Sequence, residues 1–394
     1  MKILHIAPTP FFSDRGCHIR ILSILQALTL QGGSNILCTY PLGRNLPGID
    51  IRRIGSVAGY QKTEAGPQKG KLAADLKLLF LSIKIAFSER PDAIHAHLHE
   101  GVLIGWLVRW ILFWRGIPLV ADLQGSLVGE LSDHGFFNKA GALGGVLRTA
   151  FRTLEWFVLR LPAHSFCSSG NSERIFLKQY HLSPTRLSRL DDMLDLDAYD
   201  PAKVEPANYQ RVEQSFVVAY SGSLLPIKGL DVLKQVMLSI TERRRDISFL
   251  LIGYPTDEIE HFLSQQGIKD RVTVVGRVAF ETLPSYLLLA DAGIEPKQSV
   301  SGEGSGKLLH YMAAGLALAA FPSEHNRELA GAEALASGNT SAALVEVIEQ
   351  LADNRGRCKE LGNQNRQRVQ PYSLHAGGAI IARVYKNIGI AQPT

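Results

Sequence analysis

The stretch ADAGIEPKQSVSGEGSGKLLHYMAAGLALAAFP, residues 290–322, decides the fold predicted for this chain. It begins with a short apolar strand, Ala292–Ile294, and continues through a loop rich in glycine and serine. A run with helical spacing follows from Lys307 to Ala314, Gly315 closes it, and a second apolar strand comes next. Strand, loop, helix and strand in this order form the repeating unit of a parallel α/β sheet.

The loop ahead of this helix has the composition of an anion-binding site. Residues 302–306 read GEGSG, and Lys307 follows them. Backbone N–H groups at the start of a helix have no intrahelical partner and lie at the positive end of the helix dipole. Such a loop suits an anion, most simply the diphosphate of a nucleotide. An ordinary turn between a strand and a helix explains the same pattern equally well.

Length and composition fit two or three soluble α/β domains. The chain has 394 residues, of which 46% are hydrophobic and 20% charged. A net charge of +5 suits an anionic ligand or an acidic membrane surface, and we expect no nucleic-acid partner. The cysteines show no metal-ligand spacing, which predicts reduced thiols in the cytoplasm. The start MKILHIAPTP goes directly into a strand, so no signal peptide is expected.

The N-terminal half repeats the alternation of strand and helix. Strands are predicted at Met1–Pro8 and Ser34–Tyr40, with the helix Cys17–Gln31 between them. Ligands bind at the carboxyl ends of such strands, so the loop that ends at Gly16 should face a site. Gly16 would let the backbone approach a ligand, although a simple turn glycine accounts for it equally well.

Three histidines alternate in DAIHAHLHE, residues 92–100. If the strand continues through them, His95, His97 and His99 share one side. Metal binding lacks nearby carboxylate or thiolate partners apart from Glu100. We favour a strand end at a ligand site, with one imidazole bonded to a substrate hydroxyl. A core histidine satisfied by the backbone fits at least one of the three.

Two segments of the sequence are relevant to contact with a membrane. The amphipathic helix predicted at Lys69–Ser88 carries several lysines, which form either a solvated face or a basic patch for an anionic lipid or polyanionic acceptor. Residues 102–121 are apolar and contain Trp106, Trp110 and Trp114. Arg109 and Arg115 interrupt that run, so we expect a buried or half-buried helix and no transmembrane span.

A charged segment with prolines, Ser183–Tyr209, predicts a linker. We expect two Rossmann-like, doubly wound parallel-sheet domains, residues 1–200 and 201–372, that face a central cleft. Residues 373–394 are expected to form a C-terminal helix that packs back on the first domain. Strands of the second domain are predicted at Phe216–Tyr220, Ile247–Ile252, Val272–Val275, Ala292–Ile294 and Leu316–Ala320. Lys228 lies in the first strand–helix loop of that domain, where a cation can meet a phosphate.

These motifs resemble the retaining glycosyltransferases of family 4, which have the GT-B fold. The resemblance extends over nearly the whole chain. It rests on the loop that ends at Gly16, on HAH at 95–97, on SGSLLPIKG at 221–229, on VVGRVAFETLPSYLLLADAGIEP at 274–296 and on GKLLHYMAAGLALAAF at 306–321. In such enzymes the C-terminal domain holds a nucleotide-sugar donor and the N-terminal domain binds the acceptor.

The resemblance implies roles for individual residues. Lys228 would contact the diphosphate, and Gly16 would approach the donor phosphate. His97 would lie near the transferred sugar, and Glu303 with the following backbone would face the donor. We therefore predict His97, Lys228 and Glu303 as catalytic residues. The predicted donor-binding residues are Gly16, Ser223, Lys228, Arg277, Gly304, Ser305, Gly306, Lys307 and His310.

Two positions depart from the family pattern. The family usually has a Glu-x7-Glu pair, and His310 stands where the second glutamate is expected. An imidazole can make one hydrogen bond to a ribose hydroxyl but cannot chelate a diol as a carboxylate does. Ser223 stands where the family often has an arginine, so one phosphate-binding cation is missing. Arg277 or Arg15 would have to compensate for it.

The predicted function is transfer of a hexosyl unit from a UDP- or GDP-linked sugar, with retention, to a glycan or lipid-linked acceptor. The products would be cell-surface polysaccharide or glycolipid. The leaving diphosphate takes the acceptor proton, so no strong protein base is expected. No DxD-like metal motif is evident in a suitable loop, so we expect no essential metal, and no further cofactor is expected. We predict a cytoplasmic location with peripheral contact at the inner membrane face. The alternatives are a GT-B sugar-nucleotide epimerase or hydrolase, and a non-catalytic subunit that binds a nucleotide sugar.

Overall fold

The chain forms two compact units in a computed structural model. The structure describes residues 1–61, 63, 68–133, 135–209, 211, 214–298, 305–331 and 335–390. Unit 1 consists of Met1–Met193 together with Leu374–Thr394, and unit 2 consists of Leu194–Ser373. The division falls inside the charged segment that the sequence marks as a linker.

Unit 1 is built on a parallel sheet of seven strands. Their order across the sheet is β3-β2-β1-β4-β5-β6-β7. The strands are β1 (Lys2–Ala7), β2 (Ser34–Thr39), β3 (Asp50–Arg53), β4 (Ala93–His97), β5 (Leu119–Leu123), β6 (His164–Cys167) and β7 (Leu187–Arg189). The register sets His5 beside His95 and sets His97 beside Asp122. Polar side chains of three adjacent central strands are thereby brought together.

Helices cover this sheet because their apolar faces pack on the buried strands. The helices are α1 (Gly16–Leu30), α2 (Lys71–Glu89), α3 (Leu98–Ile111), α4 (Leu127–Asp133), α5 (Phe136–Lys139), α6 (Gly144–Val158) and α7 (Gly170–Arg174). Ala74 and Leu78 of α2 join Val102 and Val108 of α3 in one core with the sheet. α2 and α3 therefore share a layer on one face of the sheet.

The condition that one strand carries His95, His97 and His99 is not met, and the sequence analysis missed two strands. The strand β4 ends at His97, and α3 begins at Leu98, which has a φ of 63°. His99 therefore lies in a helix and does not share a strand face with His95 and His97. The missed strands, β3 and β7, are the two edges of the sheet. They have four and three residues, and neither contains an apolar run.

Unit 2 has a parallel sheet of five strands in the order β10-β9-β8-β11-β12. Its strands lie where the sequence predicts them. They are β8 (Phe216–Ser221), β9 (Ile247–Ile252), β10 (Val272–Gly276), β11 (Ala292–Glu295) and β12 (Ala317–Ala320). Its helices are α8 (Leu230–Arg243), α9 (Asp257–Gln266), α10 (Leu283–Leu287), α11 (Lys307–Ala313), α12 (Glu324–Ala330), α13 (Ser341–Asp353) and α14 (Arg355–Arg368).

The last helix, α15 (Leu374–Asn387), belongs to unit 1 and packs beside α1. Two glycines allow the close approach. A Cβ at Gly378 would lie 3.0 Å from the Ala27 carbonyl oxygen, and one at Gly377 would overlap the Met193 sulfur. Ile24 and Leu28 of α1 share a core with Ile381 and Tyr385 of α15. This core lies apart from the one formed by α2 and α3, so the two pairs of helices sandwich the sheet.

None of the described helices combines the length and the hydropathy that a segment needs to cross a bilayer. The apolar run at 102–121 forms α3, a short 3₁₀ turn at Phe113–Arg115 and the strand β5. As predicted, α3 is a half-buried helix.

Candidate functional site

The carboxyl edge of the second sheet gathers most of the predicted donor-binding residues. Ser223 follows β8, and Arg277 follows β10. Ser305 and Gly306 lead into α11, whose first residue is Lys307. In a parallel α/β sheet this edge is where ligands bind. Glu303 and Gly304, also predicted here, lie outside the described residues.

The turn that carries Lys228 packs against the loop after β11. Lys228 ends the 3₁₀ turn Pro226–Lys228, and Gly229 follows with a φ of 87°. A Cβ at Gly229 would lie 2.4 Å from the Pro296 carbonyl oxygen and 3.0 Å from the Lys297 nitrogen. Glycine is thus required both by the backbone conformation and by the contact. The turn places Lys228, which is half-buried, at the same edge as Glu295.

Lys307 forms a buried ion pair with Glu295. Its Nζ lies 3.3 Å from Glu295 Oε2 and 4.4 Å from the centre of the Tyr220 ring. Ser305 donates a hydrogen bond to Glu295 at 2.5 Å, and the Lys297 N–H donates another at 3.1 Å. Burial alone lowers the pKa of the Lys307 ammonium, but Glu295 and the neighbouring tyrosines outweigh burial and raise it. Lys307 therefore remains charged at neutral pH.

Gly222 makes room for the Lys307 side chain. Its φ is 121°, and a Cβ there would lie 2.9 Å from Lys307 Cε. The Tyr220 hydroxyl donates to the Ser223 carbonyl at 2.8 Å, which fixes the loop after β8. The Arg277 guanidinium lies 4.9 Å from the centre of the Tyr254 ring and is exposed. Lys228, Arg277 and Lys307 thus lie at this edge together with Ser223, and Lys307 is paired with Glu295.

His310 lies on α11, one helical turn after Lys307. Its ring is 8% exposed, its Nδ1 lies 2.6 Å from the Tyr199 hydroxyl, and Phe280 packs edge-on at 5.5 Å. The ring thus has protein neighbours on two sides. The predicted contact of His310 with a ribose stays a prediction.

Gly16 begins α1 and lies at the surface of unit 1. A Cβ there would meet nothing within 4 Å. Arg15, which precedes it, donates to the Thr63 carbonyl at 2.6 Å. The backbone at Gly16 is therefore accessible, as the predicted approach to a donor phosphate requires.

His97 lies inside unit 1 and is fully buried. Its Nδ1 lies 3.2 Å from Asp122 Oδ2, and its Nε2 lies 3.1 Å from His5 Nδ1. The ring also stacks on His95 at 4.9 Å between centres. Both ring nitrogens thus have protein partners, and the predicted proximity of His97 to the transferred sugar is untested.

The sequence analysis missed the charges around His97. The Arg20 guanidinium lies 2.7 Å from Asp122 and 3.0 Å from Asp192. Burial raises the pKa of the Asp122 carboxyl, but Arg20 and then His97 outweigh it and hold that pKa well below its usual range. A possible signal in the sequence was the occurrence of His5 and Asp122 within strands that are otherwise apolar.

His99 belongs to a separate buried cluster. Its Nε2 lies 3.4 Å from Glu155, a fully buried residue of α6. The N–H groups of Leu127 and Val128 donate to Glu155 at 2.8 and 3.1 Å, and the Tyr180 hydroxyl donates at 2.5 Å. Glu155 therefore caps the start of α4 and has a structural role. Within the described part of the chain, no group of three His, Cys, Asp or Glu side chains is arranged to hold a metal ion.

Comparisons with known proteins bear on both units. Residues 215–354 match the family model described as Glycosyl transferases group 1. The chain is 25% identical over 321 residues to the alpha-D-kanosaminyltransferase of Streptomyces kanamyceticus, an alignment that covers 75% of this chain and 78% of the relative. It is 24% identical over 284 residues to the D-inositol 3-phosphate glycosyltransferase of Salinispora tropica, covering 66% of this chain. The aligned region spans only 56% of that relative's length.

Solved structures share the fold over nearly the whole chain. Sucrose-phosphate synthase from Thermosynechococcus elongatus superposes with a TM-score of 0.75 at 17% identity and covers 98% of both chains. HepE of Anabaena, solved in complex with UDP, gives a TM-score of 0.72 at 15% identity and covers 98% of this chain and all of its own. These structural likenesses show that the chain has the GT-B fold, and the family match to Glycosyl transferases group 1 lies within unit 2.

Proposed function

We propose that this protein transfers a hexosyl unit, with retention, from a nucleotide diphosphate sugar to a glycan or lipid-linked acceptor. The observation that carries the proposal is the set of residues at the carboxyl edge of the second sheet. Ser223 and Lys228, in the loop between β8 and α8, and Lys307, at the start of α11, lie there inside the region that the family model matches. Their charges suit a diphosphate, and the named relatives are glycosyltransferases.

We propose a UDP-linked donor, with a GDP-linked donor as the alternative. HepE, which has the same fold, was solved with UDP bound. Leaving-group stabilisation is the main chemical demand, because the bond to the diphosphate breaks as an oxocarbenium-like centre forms. Lys228 and Lys307 would neutralise the departing diphosphate, which takes the proton of the acceptor hydroxyl. Ser223 would donate one further hydrogen bond.

Donor binding and turnover can be tested together. The purified chain is screened by thermal shift against UDP-, GDP- and ADP-sugars, since a ligand that binds only the folded protein raises its melting temperature. The stabilising donor is then supplied with and without an acceptor, and free nucleotide is measured. Lys228→Ala should lower transfer at least about 10²-fold, the size expected when one such electrostatic contact is lost.

Lys234→Ala is the matched control for that experiment. Lys234 lies on α8 of the same unit, six residues after Lys228, and is paired with Glu258. Its loss should leave transfer unchanged. Near-normal turnover in the Lys228→Ala variant would contradict the assignment of the donor site.

A nucleotide-sugar-binding subunit without activity is the second candidate. It is favoured by His310 and Ser223, which replace two residues that the family commonly uses. Donor binding with neither transfer nor hydrolysis would support this candidate. Release of sugar to water without an acceptor would instead support a hydrolase.

The proposed location is the cytoplasm, with peripheral contact at the inner face of the membrane. A lipid-linked acceptor would be presented there. Exposed aromatic and basic side chains on the helices of unit 1 support this proposal.

A further inference from the structure

Unit 1 has an unusual concentration of exposed aromatic side chains at the ends of three neighbouring helices. We name this set the aromatic end. Its members are between 41% and 75% exposed, and they are Phe87, Trp110, Phe113, Trp114, Trp156 and Phe157. With Trp106, which packs beside Phe157, they include all four tryptophans of the chain. Scattered single apolar residues are normal on a protein surface, but a continuous set of this size indicates a partner.

Contacts between the three helices show that the aromatic end is one surface. Arg115 lies over the Phe87 ring at 5.6 Å and joins the end of α2 to the turn after α3. Trp106 of α3 meets the Phe157 ring of α6 edge-on at 6.1 Å. In a parallel α/β unit the helices run opposite to the strands, so their carboxyl ends lie at the amino edge of the sheet. The aromatic end is therefore opposite the edge that carries His97.

The charges around the aromatic end are basic. The exposed charged residues in the carboxyl-terminal halves of α2, α3 and α6 are Lys84, Arg109 and Arg152. The acidic residues of these helices have partners within the unit: Asp75 bonds Tyr40, Glu89 pairs with Lys2, Glu100 pairs with Lys71, and Glu155 is buried. A second copy of the chain would bring arginines against arginines, which is unfavourable. An anionic surface complements them.

We propose that the aromatic end docks on a bilayer that contains anionic phospholipid. The tryptophans and phenylalanines enter the headgroup region, where amphipathic aromatic rings are favoured, and the arginines and lysines meet lipid phosphates. The exposed Leu154 of α6, next to Trp156 on the last turns of the helix, extends the apolar contact. The proposal deepens the proposed function, because docking brings the enzyme to a lipid-linked acceptor.

Vesicle binding tests this proposal independently of transfer. The full chain is floated with vesicles of phosphatidylcholine alone or with phosphatidylglycerol added, and tryptophan fluorescence is recorded. We expect binding to the anionic vesicles, a blue shift, and weaker binding at high salt. The double variant W110S/W114S and the variant R109E should each lower partitioning about tenfold or more. L30S and I380S, which change exposed residues of α1 and α15 on the other side of the sheet, are the matched controls.

Two outcomes would overturn the proposal. The first is absence of binding to anionic vesicles by the folded wild-type chain. The second is concentration-dependent self-association that W110S/W114S abolishes, because the aromatic end would then be an interface between copies. Donor hydrolysis or transfer to a water-soluble acceptor is measured in the same samples. A failure of membrane docking can therefore be distinguished from a failure of sugar transfer.

A second inference concerns the protonation of His97 and rests on hydrogen-bond direction. The Asn35 amide nitrogen donates to the Leu25 carbonyl and to Thr29 Oγ1, both at 3.0 Å. The Asn35 oxygen therefore faces His5 Nε2 at 3.0 Å, and that nitrogen must carry a proton. Burial, and then His97, lower the pKa of His5 to about 3. His5 is thus neutral, and its Nδ1 can only accept.

Hydrogen-bond direction also fixes the protons between His5, His97 and Asp122. Since His5 Nδ1 accepts, His97 Nε2 must donate to it across 3.1 Å. The other nitrogen of His97 faces the ionised carboxylate of Asp122 at 3.2 Å and must donate as well. We infer that His97 is an imidazolium held as a fixed buried cation. His97 and Arg20 then balance Asp122 and Asp192, and the stacked His95, bonded to Tyr385, is neutral.

As an imidazolium, His97 is a positioning residue at the start of α3 and cannot act as a base. Nitrogen NMR of histidine-labelled protein tests this, with His97→Gln to assign the signals. Both ring nitrogens of His97 should be protonated at pH 7. N35L removes the acceptor, which lets His5 reverse its tautomer and donate to His97 Nε2, so that one nitrogen of His97 becomes bare. A bare His97 nitrogen in the wild-type chain at pH 7 would overturn the inference.

Discussion

At the carboxyl edge of the first sheet, Arg20, His97 and Asp122 are at most 3% exposed and pair with one another. At the same edge of the second sheet, the Lys307 side chain is 18% exposed, and Lys228 and Ser223 are half-buried. The two units therefore use similar chemical groups for different purposes. In unit 1 the charges neutralise each other inside the fold, whereas in unit 2 Lys228, and Lys307 beside its partner Glu295, keep exposed surface that an anionic ligand can reach.

Removing one charge from the buried cluster of Arg20, His97 and Asp122 should have the largest effect on the free energy of unfolding. Asp122→Asn leaves the buried Arg20 guanidinium with only Asp192 to balance it. Breaking a buried pair in this way costs about 3–5 kcal/mol, so thermal or urea unfolding should show a large loss of stability. Asp50→Asn is the matched control, because its pair with Arg52 is exposed and worth about 1 kcal/mol or less. Equal losses of stability in the two variants would contradict the description of Asp122 as a buried, paired charge.

In unit 2 the prediction is lost activity with the fold retained. Lys307→Ala should lower sugar transfer about 10²-fold, because one cation facing the leaving diphosphate is gone. Lys307→Arg keeps the charge and should retain more activity. Circular dichroism checks the fold, and initial rates with the donor identified by thermal shift measure the effect. Unchanged transfer in Lys307→Ala would remove this lysine from the donor site.

Acid should destabilise the protein before its carboxylates titrate. Burial lowers the pKa of His5 and of His18 to about 3, whereas unfolded histidines bind protons near pH 6.5. Between these values the unfolded state binds more protons, so the free energy of unfolding falls as the pH falls. Each group contributes up to about 1.4 kcal/mol per pH unit. Urea unfolding at several pH values checks this.

A variant of His18 sharpens the pH experiment. His18→Leu should reduce the slope between pH 6.5 and 4, and His375→Gln, at an exposed position, should leave it unchanged. A stability that stays constant from pH 6.5 to 4 in the wild-type chain would contradict the described burial of these rings.

Substitutions of two glycines should have the smallest effects on stability. Gly222→Ala combines a φ of 121° with a contact of 2.9 Å to Lys307, and should cost about 1–3 kcal/mol and weaken donor binding. Gly16→Ala meets no neighbour at the first position of a helix, and should be neutral or slightly stabilising. Melting temperatures with and without donor measure both. A Gly222→Ala variant as stable as wild type would show that Lys307 is not tightly held.

Sequence predicted the central strands because each one is a buried apolar run. β3 and β7 were missed because an edge strand is short and half exposed, so polar residues interrupt its pattern. The positions of Ser223, Lys228 and Lys307 could be predicted because motifs close in sequence carry them. The cluster of Arg20, Asp122 and Asp192 could not be predicted, because the fold brings together residues up to 172 positions apart in the sequence.

Titration calorimetry with UDP is the most direct test of the central claim that unit 2 offers its cations to a diphosphate. Wild type, Lys228→Ala and Lys234→Ala are compared at neutral pH. We expect Lys228→Ala to bind UDP at least about tenfold more weakly, a loss of roughly 1.4 kcal/mol, and Lys234→Ala to match the wild type. Equal affinity for all three proteins, or absence of UDP and GDP binding by the wild type, would contradict the claim.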